Sequence, residues 1–89
     1  MDEVKPQIIE KQVKIKDLQS GDKFKHYHNN VYGGTFYALN RERWGEGRPH
    51  LKSICNAGGI GSSPGGIYCF SEEIEVTLIE EIWEGLQKI

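Results

Sequence analysis

Apolar and polar residues alternate with a period of two in the stretch VKIKDL, where Val13, Ile15 and the shifted Leu18 point one way and Lys14 and Lys16 the other. That spacing predicts a β-strand. The segment QSGD supplies turn residues, and KFKHYH resumes the alternation with Phe24, His26 and His28 on one face and Lys23, Lys25 and Tyr27 on the other. Asn29 and Asn30 tolerate a left-handed backbone and read as a turn into VYGGTFYALN. Its paired glycines, Gly33 and Gly34, inside an aromatic and β-branched strand predict a bulge or sharp bend. RERWGEGRP reads as a loop by its glycines, proline and charges, HLKSIC as a weak strand and IYCF as a short one. In the last segment Ile74, Val76 and Leu78 alternate with Glu75 and Thr77, while Ile79, Ile82, Trp83 and Leu86 follow helical spacing. The end is therefore expected as a short amphipathic helix or a continuation of the strand.

Five to six short strands joined by Gly, Asn and Pro turns predict a mainly β chain, folded as a small antiparallel barrel or rolled sheet, with a short helix as one of the two alternatives for its C-terminal end. At 89 residues it fits a single domain, expected over residues 11–89 behind a loose segment at 1–10. No apolar run nears the ~20 residues needed to span a bilayer, and no apolar signal core follows Met1, so the expected location is cytoplasmic. In that compartment the two cysteines, Cys55 and Cys69, are expected as free thiols.

Charge is distributed unevenly behind a net charge of -2. Residues 11–52 hold nine lysines and arginines against four acids, and residues 72–84 hold six glutamates and no base. Such a chain either attracts an anion to one side or pairs its own strands across the sheet, and pairing is the expected outcome.

The stretch VKIKDLQSGDKF followed by VYGGTFYALN, a later cysteine and a closing IEVTLI resembles small barrel proteins encoded by bacteriophages and other bacterial mobile elements. The likeness spans roughly residues 13–79 and implies an SH3-like barrel with an accessory role in phage or host biology. It transfers no ligand or catalytic residue. The arginine loop and the long glycine loop depart from the short connections of that group, so a function tied to either is particular to this chain.

The candidate chemistry lies in those two loops. RERWGEGRPH offers Arg41, Arg43 and Arg48 for bidentate contact with phosphate or carboxylate, Trp44 for stacking and His50 beside them, with Tyr32 and Tyr37 expected as adjoining contacts. Glu42 and Glu46 interleave with these bases, which suits a protein or small anionic ligand better than a nucleic-acid backbone, though nucleic acid stays an alternative. Gly58, Gly59, Gly61, Gly65 and Gly66 sit in CNAGGIGSSPGGIYC, which reads first as a hairpin loop. A lid over a nucleotide or nucleotide-derived signal, or a phosphate nest, are its alternatives; the loop lacks the Gly-Lys-Ser/Thr of a P-loop and a following helix. His26 and His28 stand about 7 Å apart on one strand face, a usable zinc pair, but the cysteines lack Cys-x-x-Cys spacing. Cys55 or Cys69 with His50, and Glu73 or Asp22 as an acid, carry no catalytic signature. The chain is accordingly read as a non-enzymatic binding protein with no metal or cofactor, and as a possible homodimer through Ile79, Ile82, Trp83, Leu86 and Ile89.

Overall fold

A computed structural model of the chain describes residues 6–44 and 47–82, without the side chain of Trp44. It contains six strands, β1 (Gln7–Lys14), β2 (Lys23–His28), β3 (Val31–Trp44), β4 (Arg48–Gly58), β5 (Ile67–Ser71) and β6 (Glu75–Ile82), with one 3₁₀ turn at Ile15–Asp17. All pair antiparallel in a single sheet ordered β1-β6-β2-β3-β4-β5. The expected small rolled β-sheet is what forms.

Three irregularities curl the sheet. The β2–β3 pairing steps from His26↔Gly34 to Tyr27↔Tyr32, leaving Gly33 as the extra residue of a bulge, and β3 slips against β4 between Thr35 and Phe36 and between Ala38 and Asn40. Bulges bend a strand and raise its twist. Gly34 takes φ +125°, a conformation that L side chains rarely adopt. The curl brings Phe24, Phe36 and Phe70 from three strands together, with ring centroids 5.6, 5.5 and 5.0 Å apart. Ile15, Leu18, Ala38, Leu51, Cys55 and Val76 complete this core. Hydrogen bonds from the Ile15 N–H to the Ile74 carbonyl (2.9 Å) and from the Lys16 N–H to the Glu72 carbonyl (3.0 Å) tie the end of β1 to the β5–β6 turn and close the roll.

Asn29 and Asn30 adopt φ 50° and 65° between the paired residues His28 and Val31, the two-residue hairpin their side chains favour. Two expectations need correction, and one open alternative is decided. The strand expected from Val13 starts at Gln7, because the backbone of residues 7–10 pairs along β6, so part of the expected loose leader belongs to the sheet. Most of RERWGEGRP is not a loop: Arg41 to Trp44 continue β3 and pair with Arg48 to Leu51 of β4. Ile79 to Ile82 stay in β6, where Ile79 pairs with both Glu10 and Lys23; a strand bonded on two sides gains more than a short helix offers. The remainder of the expected helix and dimer contact, including Trp83, Leu86 and Ile89, lies outside the described residues.

The charge asymmetry resolves as self-pairing. Glu80 meets Lys11 at 3.2 Å, Glu73 meets Lys14 and Lys16 at 3.7 and 3.6 Å, and Glu72 meets Arg41 at 2.5 Å. The exposed pairs contribute up to about 1 kcal/mol each. Across the outer face a register row runs Glu10, Ile79, Lys23, Tyr37, Ile54, Ile67 through all six strands.

Inside, Ser53 is fully buried and its hydroxyl has no hydrogen-bond partner among the described residues. Ser53→Ala removes a desolvated hydroxyl at nearly constant shape, so stability is expected to stay level or rise by up to about 1 kcal/mol. Urea unfolding checks this, and a clear loss would contradict the unpartnered hydroxyl.

Candidate binding site

β3 and β4 outrun the rest of the sheet. β2 leaves β3 after Lys23↔Tyr37, and β5 accompanies β4 only as far as His50↔Ser71. Beyond that point Arg43↔Pro49 and Trp44↔Arg48 pair with each other alone, making a two-stranded finger. The Arg43 Nη1 donates to the Gly47 carbonyl at 2.8 Å and holds the turn, while the Arg43 and Arg48 side chains stay exposed. Among the described residues no carboxylate stands within ion-pair distance of either arginine. Lys52 meets Glu42 at 3.8 Å, and the Arg48 carbonyl lies 3.1 Å from His50 Nδ1. At the base of the finger, Arg41, Glu42, Arg43, Pro49 and Glu72 line a shallow groove of about 190 Å³.

Arg41 stands apart from the other two arginines. Its guanidinium is engaged inside the molecule, with Nη1 donating to Glu72 Oε2 (2.5 Å) and Nη2 to the carbonyls of Ile15 (3.3 Å), Lys16 (3.0 Å) and Leu18. It clamps the 3₁₀ turn to the β5–β6 turn rather than waiting for a ligand. Tyr32 and Tyr37 do not adjoin the finger tip either. Tyr32 lies at the opposite end of β3, its hydroxyl 2.5 Å from Thr35 Oγ1 and its ring 5.8 Å from Tyr27, and Tyr37 sits mid-strand with the Lys23 ammonium 5.8 Å from its ring centroid. Of the other aromatics, Phe36 is core and Tyr68 packs edge-on against it at 5.6 Å.

The chain matches no family model, no curated protein and no solved structure. The site therefore has to be read from its own geometry.

That geometry changes the reading of the glycine loop. Gly58 ends β4, and the amides that follow point inward. The Gly59 N–H donates to Ser62 Oγ (3.1 Å), Ile60 to the Tyr32 carbonyl (3.0 Å), Ser63 to the Tyr68 hydroxyl (3.0 Å), Gly65 to the Cys55 carbonyl (2.8 Å) and Gly66 to the Ser63 carbonyl (3.0 Å). A phosphate nest needs consecutive amides aimed outward, and these donors already have acceptors. Gly58, Gly59, Gly61, Gly65 and Gly66 build a fastened turn. It docks on the Gly33–Gly34 bulge, where the Ser62 hydroxyl donates to the Gly33 carbonyl at 2.6 Å.

Cys55 is buried and Cys69 half-buried, both as free thiols. Burial pushes the Cys69 thiol up in pKa, Glu42 adds to the shift and Lys52 opposes it, so the thiolate is disfavoured. Among the described residues no group of three or more His, Cys, Asp or Glu side chains is placed to hold a metal. None of their helices is long and apolar enough to cross a membrane. The sequence reading did not foresee the Arg41 clamp or the packing of His26 on Phe70 (5.1 Å), because both join segments far apart in the chain.

Proposed function

We propose that this is a non-enzymatic accessory protein of the phage or mobile-element kind, working in the cytoplasm, that binds an anionic partner through the tip of the β3–β4 finger. The observation that carries the reading is the finger itself, a two-stranded projection with Arg43 and Arg48 exposed and without a described counter-ion. Side chains carried on two paired strands are presented at lower ordering cost than on an unpaired loop. Surface carboxylates of a protein partner, or phosphates, are the groups a guanidinium takes bidentately. Nucleotide sequestration by the glycine loop loses support, since its amides bond internally.

The test is affinity capture with the wild-type chain, followed by titration of the captured partner against Arg43→Ala/Trp44→Ala/Arg48→Ala. Affinity is expected to fall about a hundredfold, from two lost charge-assisted contacts, with an unchanged circular dichroism spectrum. Unchanged affinity would remove the finger as the contact element. A steep linear fall of log affinity with log salt, of slope near one per phosphate contacted, would instead assign a nucleic acid.

A further inference from the structure

A second recess lies at the other end of β3. The end of β2, the start of β3 and the tip of the glycine loop enclose a groove of about 380 Å³ lined by His26, His28, Asn29, Val31, Gly33 and Ile60. That volume falls within the range of about 300–1,000 Å³ usual for small-molecule sites. With 14 residues in β3, the groove stands up to about 40 Å from the finger tip and does not depend on the reading of that finger.

Its walls are apolar and held in place. Val31 is 44% exposed and Ile60 75%. Ile60 is fixed by its own N–H on the Tyr32 carbonyl and by the neighbouring Ser62 hydroxyl on the Gly33 carbonyl. A fastened loop that keeps an isoleucine in water gains nothing for the fold, because burial of that side chain is what stabilises.

The floor is made of imidazoles. His26 and His28 are two residues apart on β2 and share the face that carries Phe24. His26 rests on Phe70, and its Nδ1 lies 3.0 Å from where a Cβ would stand on Gly33, so glycine at that position leaves room for the ring. Burial lowers the His26 pKa and the His28 charge lowers it further, with no carboxylate acting on it. None of the residues lining the groove is acidic. The recess combines imidazole hydrogen-bonding groups, with no acidic lining residue, and an uncovered apolar wall, and one ligand chemistry answers both.

We propose that this groove binds a small aromatic carboxylate, its carboxylate at His26 and His28 and its ring between Val31 and Ile60. The carboxylate accepts hydrogen bonds from the imidazole N–H groups and favours the protonated form of His26 that burial disfavours, and the ring covers the isoleucine. His26 and His28 are the titratable groups facing the ligand. β3 contributes Val31 and Gly33, the β2–β3 turn Asn29 and the loop Ile60, while Phe70 of β5 packs against His26; none of these titrates.

The experiment is an amide NMR titration of the full chain with benzoate, and with benzamide as the neutral isostere, at pH 6 and pH 8. Saturable shifts confined to His26, His28, Val31, Gly33 and Ile60 are expected, with benzamide at least about tenfold weaker and His28→Gln losing a similar factor for benzoate. Binding should weaken from pH 6 to pH 8, because a bound carboxylate favours the protonated His26 ring, whose population falls as pH rises. Absence of saturation at tens of millimolar benzoate, or equal binding of benzamide, overturns the proposal. So does a response of the same residues to zinc chloride without one to benzoate, which would make the histidines metal ligands.

Discussion

Gly59→Ala is expected to destabilise the protein by about 2–4 kcal/mol and to lower its thermal midpoint by about 10 °C or more. A Cβ on Gly59 would stand 2.6 Å from the Gly34 nitrogen, 2.6 Å from the Tyr32 carbonyl oxygen and 2.8 Å from the Gly33 carbonyl carbon. All three are backbone atoms of the β2–β3 hairpin, so no side-chain rotation relieves the overlap. The loop must lift, and the Ile60–Tyr32 and Ser62–Gly33 hydrogen bonds go with it. Gly61→Ala is the control. Its Cβ meets nothing within 4 Å, and only its φ of +85° opposes the change, a cost of about 1 kcal/mol. Parallel thermal unfolding of the two variants checks the contrast. Equal losses would mean that the loop is not seated on the bulge, and would also take away the fixed wall that Ile60 gives the histidine groove.

Arg41→Ala should cost about 2–3 kcal/mol, more than any other change to a surface charge among the described residues. The side chain is 36% exposed, which reduces the worth of its ion pair with Glu72, but its Nη2 also serves three carbonyls of the 3₁₀ turn. Without it those oxygens lose donors while Ile15 and Leu18, 0% and 2% exposed, remain anchored beneath them. Arg41→Lys is expected to recover less than half of the loss, since one ammonium cannot replace a planar fork that reaches in two directions. Salt distinguishes the contributions. An exposed ion pair is screened within about 3 Å at 1 M salt, whereas hydrogen bonds to carbonyls persist. Urea unfolding of wild type and variant in low and high salt is the measurement, and a difference erased by salt would reduce Arg41 to an ordinary surface pair.

The two arginine predictions separate residues that one motif presented as equals. Arg41, Arg43 and Arg48 look alike in RERWGEGRP, yet Arg41 sits where β4 still has β5 beside it, and Arg43 and Arg48 lie beyond it. Position along a strand decides whether a guanidinium finds carbonyls or solvent. The same holds for the aromatics: Tyr32 is the second residue of β3 and Trp44 its last, so the two stand near opposite ends of the strand.

Much was legible from local chemistry. Period-two alternation located β2 and the buried Val76 of β6, although Ile15 and Leu18 of the expected first strand fall in and after the 3₁₀ turn and Thr77 is buried; Asn29–Asn30 named its own turn, and Gly33–Gly34 marked the bulge, because each signal acts within a few residues. The balance of bases and glutamates foretold strand pairing for the same reason, as opposite charges on neighbouring strands need only rough proximity. What the sequence could not supply was register and reach. Whether 41–50 is loop or finger depends on β3 and β4 finding a common ladder past two bulges. Whether the glycine-rich stretch is a nest or a fastened turn depends on carbonyls of Tyr32 and Gly33, more than twenty residues earlier in the chain. Local propensity set the strands and turns of this protein; the tertiary structure alone chose which arginines, histidines and amides face solvent, because those choices are made by hydrogen-bond partners that the chain brings together only when the sheet rolls.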